Sequence, residues 1–239
     1  KDIVGKLKIV NGRKTLMNNI YTSLHNHTDY SNASLGFVDS INKYDKLIQT
    51  AYDEGLRGIA ITDHESISCH VKALRYFNDM QKDRPFQLIL GNEIYLLSKE
   101  EDEINKNAET KENIPYYHFI LNALDNEGHK QIRMISTEAW KRAYTHNRWM
   151  RRPTYYSDIE NIIGENKGHL IASTACLGGF VGTKIIDWKI NGNENSGIEV
   201  QNFLKWCIDT FGEQNFYLEI QPCNEDNIEQ RTVNETLME

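Results

Sequence analysis

Short apolar runs alternate along this chain with stretches whose apolar positions recur every three or four residues. The runs are 20–24, 58–62, 86–97, 118–124, 169–175 and 216–220, each bounded by polar or glycine-containing segments, and each reads as a buried strand. Between the first two, Val38 to Tyr52 sets Ile41, Tyr44, Ile48 and Ala51 on one helical face and stops ahead of Gly55, a residue type that tolerates the left-handed turn after a helix. Strand, helix, strand is the repeating unit. It predicts an α/β fold whose mainly parallel sheet closes into an irregular barrel. Segment 98–113 carries six acids and three lysines with almost nothing apolar, which predicts a solvated, mobile insertion between two strands. No fixed-period repeat and no linker between folded halves is visible, so one domain is expected over 17–239, with residues 1–16 an N-terminal extension or fusion remnant. The last helical pattern, Glu225 to Glu239, has no strand after it, so a fragment of a longer protein is expected.

Composition narrows the class. Of 239 residues, 39% are hydrophobic and 26% charged, ordinary globular usage that argues against a disordered chain or a coiled-coil rod. No apolar run reaches the ~18 residues of a membrane helix, and the opening segment lacks an apolar leader core; a cytoplasmic protein without membrane contact is expected. The net charge of −7 argues against gripping nucleic acid by bulk positive charge, so any such contact has to be local. Cys69, Cys176, Cys207 and Cys223 form no C-x-x-C pair, in a chain large enough to do without disulfides, which points to a reducing compartment.

The strand-like runs carry groups that such runs normally exclude. The first ends in Leu24-His25-Asn26-His27; residues two apart in an extended chain share a side, so both imidazoles face one point. The second ends in Asp63-His64, where His64 can ligate and Asp63 can orient a neighbouring imidazole. Glu93 lies inside the third run, His118 opens the fourth and Cys176 follows the fifth. Singly, each has a bland reading as a surface histidine or a helix cap. Buried strands exclude such groups unless they are paired or bound to a metal, however, and five strands each contribute one. Imidazole, carboxylate and thiolate together suit zinc, with manganese or iron as substitutes. Cys176 could instead be a nucleophile, but His169 on its strand lies seven residues away and faces the other side, so metal ligation is the better reading.

Six motifs in order, HNHTDYS, AITDH, GNE, HFILNALDNEG, STACLGG and FYLEIQ, resemble the PHP (polymerase and histidinol phosphatase) family from about Ile20 to the end. The NALDNEGHKQI, STACLGG and FYLEIQ segments are similar to the branch at the amino end of bacterial DNA polymerase III alpha subunits. The resemblance implies a distorted, TIM-like barrel of seven strand-helix units, with two or three divalent metal ions at the strand carboxyl ends. Carried over, the ligands are His25, His27, His64, Glu93, His118 and Cys176, with Asp39 as the early acid and Asp29 in reserve. Asp63, His64 and His27 stand at the reacting centre. The family also places an Asp-x-His pair on a last strand, which the sequence does not reach.

One basic stretch interrupts the acidic chain. Trp140 to Tyr156 carries Lys141, Arg142, Arg148, Arg151 and Arg152 interleaved with Trp140, Tyr144, Trp149, Tyr155 and Tyr156. Single-strand binders combine arginines for phosphates with aromatic faces for unstacked bases; a helix end with inward-packed aromatics is the alternative. The expected function is metal-assisted hydrolysis of a phosphodiester, removing nucleotides from a DNA 3′ end. The expected partners are single-stranded DNA, a downstream polymerase region and other replisome subunits. A stand-alone phosphomonoesterase and a non-catalytic brace of the polymerase are the alternatives.

Overall fold

The computed structural model describes residues 7–10, 13–16, 21–32, 38–107, 115–146 and 149–239. Strands β1 (Leu7–Val10) and β2 (Arg13–Leu16) form an antiparallel hairpin of their own. Then follow β3 (Thr22–Ser23), α1 (Tyr44–Asp53), β4 (Gly58–Ile61), α2 (His70–Asp79), β5 (Gln87–Leu97), α3 (Lys99–Asn107) and β6 (Tyr117–Ala123). The second half comprises α4 (Asn126–Lys141), β7 (Tyr144–His146), β8 (Trp149–Arg151), β9 (Thr154–Tyr155), α5 (Tyr156–Ile163) and β10 (Leu170–Ser173). It continues through α6 (Phe180–Lys189), α7 (Glu194–Phe211), β11 (Phe216–Tyr217) and α8 (Ile228–Met238).

The main sheet runs β11-β10-β6-β5-β4-β3, with β9 against the end of β5. Neighbours β3, β4 and β5 are parallel, as are β10 and β11. The sheet is mainly parallel and departs from a regular closed barrel in two ways. First, β6 runs antiparallel to both neighbours, Glu93 facing Ile120 and Ala172 facing Leu121. The connection is the reason: the chain leaves the end of β5 through α3 and returns beside it, Leu96 pairing with Tyr117, so β6 starts where β5 stops. Second, β11 and β3 do not pair among the described residues. The sheet curls until its edges face each other across a cleft of about 570 Å³, lined by Tyr21, Leu24, His25, Tyr217, Glu219 and Ile220. The fold is therefore mixed α/β with a curled, half-closed sheet.

Helix α1 begins at Tyr44 rather than at Val38. Val38 and Ile41 are exposed, because Asn32 Oδ1 accepts from the backbone N–H groups of Asp39 and Ser40 (2.7 and 3.0 Å) and Ser40 Oγ donates to His27 O (2.9 Å). Side-chain bonds of this kind compete with the helical ladder; here they win, and they hold Asp39 beside the His25–His27 loop. Gly55, at φ +84°, closes the helix as expected. Segment 98–113 is not loose as far as Asn107. Helix α3 buries Asp102, which accepts from the hydroxyls of Tyr144 (2.8 Å) and Tyr155 (2.6 Å) and pairs with Lys106 (2.9 Å). Three partners make a buried carboxylate tolerable, and two of them come from far along the chain. The rest of that segment, from 108 to 113, lies outside the described residues.

The larger core lies between the sheet and helices α4 to α7, where Phe119 packs against Phe203, Trp206 and Phe211. A smaller one joins α1 and α2 to β4 through Ile48, Ile59, Ile61 and Ala73. Each buried side chain of this size contributes ~1.5–3 kcal/mol. Close approach requires Gly128, since a Cβ there would lie 1.9 Å from His169 O; α4 therefore packs its backbone on the chain entering β10.

His70, buried at the start of α2, ties this helical layer together. Its Nε2–H donates to Gly91 O (2.8 Å), and Nδ1 accepts from His129 Nε2 of α4 (3.1 Å). Burial, aided by His129, lowers His70 to about 4 despite the Gly91 bond. Above pH ~6.5 neither folded nor unfolded His70 is charged; below it the unfolded chain takes up a proton that the folded ring refuses. Stability is therefore expected to fall by about 2 kcal/mol between pH ~6.5 and ~5 through this group. Urea unfolding of wild type and His70→Gln at both pH values checks it: the variant should lose less on acidification, and equal losses would remove His70 as the cause.

Candidate metal centre

The loop after β3 is set by its alternate residues. Asn26 points away from the centre: its N–H donates to Thr62 Oγ1 (2.8 Å), its O accepts from Thr62 N (2.9 Å), and its amide donates to Ala60 O (3.1 Å). His25 and His27 are thereby left on the opposite side, as period two requires. Asp63, fully buried at the end of β4, clamps the same loop by accepting from Thr28 N (2.6 Å), Thr28 Oγ1 (2.8 Å) and Ser31 Oγ (2.9 Å). Burial pushes the Asp63 carboxyl up while those three bonds oppose the shift. Its oxygens face the loop and not the imidazoles, so its role is to orient. Ser31 Oγ also lies 3.2 Å from His27 Nδ1; with its own proton on Asp63, it accepts from that nitrogen and leaves His27 Nε2 with a lone pair.

Glu93, in the middle of β5 and fully buried, is the hub. Its Oε2 lies 3.0 Å from His25 Nε2, 3.0 Å from His27 Nε2 and 3.4 Å from His64 Nδ1. Its Oε1 lies 2.6 Å from His118 Nδ1, yet makes no hydrogen bond there: the contact is close in distance and wrong in direction. His25 Nε2 and His27 Nε2 face each other at 3.0 Å, and the rings of His27 and His64 stack at 4.3 Å. Asp39 Oδ2 approaches His64 Nε2 at 3.6 Å. Ligand atoms within 4.8 Å of one another form three overlapping triads: His25, His27 and Glu93; His27, Asp39 and His64; His64, Glu93 and His118. An off-line carboxylate oxygen amid converging imidazole nitrogens is what shared cations would satisfy, and the nitrogen and oxygen donors suit zinc, manganese or iron. These residues fit a divalent metal cluster.

The electrostatics agree with that use. Burial alone would lower His25, but its bonds to Glu219 and Glu93 reverse the effect and raise it to about 10. His118 likewise reaches about 10, through Cys176 and Glu93 acting against burial. His64 goes the other way, to about 4, because burial and the neighbouring His27 and His118 outweigh the pull of Glu93. Burial would raise Glu93, yet the imidazoles of His118, His25 and His27 packed against its carboxylate hold it well below the usual carboxylate range. Protons on His25 and His118 can thus balance the Glu93 charge in the place of cations.

The other expected site residues divide. Cys176 Sγ lies 3.4 Å from His118 Nδ1, beside the triads and outside all three. The turn that brings it there packs on His118, with His118 N–H donating to Gly178 O (3.0 Å); a Cβ on Gly179 would lie 2.2 Å from Thr174 O. Asp29 pairs with Lys43 instead of facing the centre. The basic stretch needs correction as a phosphate-binding surface. Arg152 is 2% exposed, its Nη1 3.4 Å from Glu65 Oε2 and its guanidinium 4.1 Å from the Trp140 ring. Arg142 donates to Asp158 (2.8 Å) and Pro153 O (3.1 Å), over the Tyr155 ring. Both charges are spent on the fold. Lys141 is exposed beside Glu138, and Arg151 lies over Tyr116. Arg148 falls outside the described residues; Trp149 belongs to β8.

Two residues of the centre were missed in the sequence. Glu219, just past β11, meets His25 Nδ1 at 2.7 Å; an acid inside the apolar run 216–220 is the same signal that singled out Glu93. Tyr95 stacks on His118 at 4.8 Å and places its hydroxyl 3.3 Å from His64 Nδ1, and as an ordinary strand aromatic it carried no signal.

The chain matches the model of the PHP domain over residues 23–223. A DNA-directed DNA polymerase of Bacillus phage SPbeta is 39% identical over 213 residues, covering 83% of this chain and 16% of the relative. The DNA polymerase III subunit alpha of Helicobacter pylori is 25% identical over 211 residues, 85% of this chain and 15% of the relative. That of Aquifex aeolicus is 28% identical over 225 residues, 93% and 17%. The chain thus spans between 15% and 17% of the length of these relatives. On a match that covers most of its length, the chain belongs to the PHP domain family, and the relatives it resembles are DNA polymerases.

Proposed function

We propose that this domain is the metal-dependent phosphodiesterase of a DNA polymerase III alpha-type protein and removes nucleotides from a DNA 3′ end. The observation that carries the reading is the set of four imidazoles gathered on buried Glu93 where the ends of β3 and β4 meet the middle of β5 and the start of β6. His25, His27, Asp39, His64, Glu93 and His118 would hold two or three ions, zinc first, with Cys176 at hand beside His118. Bound there, the metals supply Lewis acidity and lower the pKa of water. The chain's own residues do the positioning: Asp63 and Ser31 fix the loop of His27, Tyr95 steadies His64 and His118, and His25 and His118 give up the protons they share with Glu93 as cations enter. In the reaction a water oxygen forms a bond to phosphorus, the bond to the 3′ oxygen breaks, and a nucleoside 5′-monophosphate leaves. The proposed setting is the cytoplasm, within a longer polymerase chain and beside other replisome subunits; no helix among the described residues is long and apolar enough to cross a membrane.

An end-labelled single strand, incubated with metal-loaded protein, should shorten from its 3′ end and stay intact with chelator. His27→Ala should cut the rate by more than ~100-fold with DNA affinity nearly unchanged, because it removes a ligand and not a phosphate contact. Cleavage of small phosphate monoesters alone, by protein holding its full metal, would replace this reading with the phosphomonoesterase; full metal with no cleavage of either would leave the structural brace.

A further inference from the structure

We propose that Glu219 is a positioning residue of the metal centre: its carboxylate accepts a hydrogen bond from Nδ1–H of His25 and so aims Nε2 of that ring at the metal. The inference rests on reading the centre as metal-binding. Glu219 is itself tightly held. Its Oε1 lies 2.7 Å from His25 Nδ1 and accepts from Gln221 Nε2 (2.8 Å), Oε2 accepts from Ser173 Oγ (3.0 Å), and the backbone N–H donates to Thr174 Oγ1 (2.9 Å). A carboxylate anchored at both oxygens presents a fixed acceptor, so the ring it binds cannot turn. A neutral imidazole has one N–H. With that proton on Nδ1, His25 Nε2 offers its lone pair towards His27 Nε2 and Glu93 Oε2, each 3.0 Å away.

The two histidines of the H-x-H pair are therefore backed differently. His27 leans on a neutral hydroxyl, Ser31 Oγ (3.2 Å), whereas His25 leans on a full negative charge. A carboxylate behind a ligating imidazole fixes its tautomer and makes it a more basic donor, and losing such a partner costs ~10–100-fold in metal affinity. Position adds a second consequence. His25 follows β3 and Glu219 follows β11, the two edges that do not pair among the described residues, so the same bond bridges the open seam.

The test measures zinc affinity by competition with a chromophoric chelator, and the His25 ring by proton-nitrogen correlation in the zinc-loaded protein. Wild type should show zinc on Nε2 and a slowly exchanging Nδ1 proton. Glu219→Ala should bind zinc ~10–100-fold more weakly and lose that proton signal. Glu219→Gln, whose amide oxygen still accepts, should keep the signal and lose less affinity. Glu225→Ala, the same charge change at an exposed site, should alter neither. Unchanged affinity and an unchanged His25 signal in Glu219→Ala overturn the proposal. If that variant does not fold, Ser173→Ala, which removes one anchor of the carboxylate, carries the test: a several-fold loss of affinity is expected, and no loss overturns it. Wild type that binds no zinc, manganese or iron would instead sink the metal reading, and this inference with it.

Discussion

Glu93→Gln is expected to strip the centre of metal and to lower any metal-dependent hydrolysis by more than the ~10–100-fold that a lost supporting partner costs. Glu93 belongs to two of the three triads, and an amide there supplies no negative charge to hold cations together. The metal-free protein gives a second, independent reading. His25 and His118 stand at about 10 because Glu93, together with Glu219 and Cys176, overcomes their burial. A histidine whose folded pKa exceeds ~6.5 stabilises fully below that pH and loses the contribution as pH rises through the folded value. Metal-free wild type should therefore weaken from pH ~6.5 towards ~10, and Glu93→Gln should flatten that slope. Since the same protons must leave for metal to enter, zinc affinity should climb over the same range. Elemental analysis and urea unfolding in chelator check both arms; full metal content with an unaltered slope would refute the hub role.

Above pH ~8, where Glu65 is ionised, Arg152→Ala is expected to destabilise the fold by about 3–5 kcal/mol, the usual consequence of orphaning one partner of a buried ion pair. Glu65 is buried, and burial pushes its carboxyl up to about 8 even against the pull of Arg152. Its main-chain carbonyl accepts from Trp140 Nε1 (3.0 Å), and its carboxylate accepts from Arg152 N (3.2 Å). The pair thus joins the end of β4 to the end of α4 and the β8 strand. The double change Glu65→Gln with Arg152→Met should recover most of the loss, because it leaves no charge unpaired. Denaturant unfolding measures this. A stability change under about 1 kcal/mol, combined with a salt dependence of DNA binding flattened by about one unit, would return Arg152 to the phosphate-contacting surface.

Much of the candidate site was legible because its signals are local. His25 and His27 share a side through strand periodicity alone, and His64, Glu93 and His118 stood out as polar groups in apolar runs. The same logic, applied to FYLEIQ, would have found Glu219. Other features were not legible because they depend on competition between partners far apart in sequence. Val38 and Ile41 have helical spacing, yet Asn32 and Ser40 draw that segment into a loop. Segment 98–113 has a solvated composition, yet Tyr144 and Tyr155 make a buried place for Asp102.

The sequence by itself determined which runs become strands, which of them bring a ligand-capable group, and that the two loop histidines point together. These follow from periodicity and from the cost of burying unpaired polar groups, which act over a few residues. Only the tertiary structure decided that β6 runs backwards and so offers His118 from its start, that Asp39 faces His64 while Asp29 turns to Lys43, that Arg152 is buried on Glu65, and that Glu219 reaches His25 across the seam. Each of those groups could have bonded several partners. Which one it meets is set by how the sheet curls and where the chain returns, and no local pattern of residues encodes that.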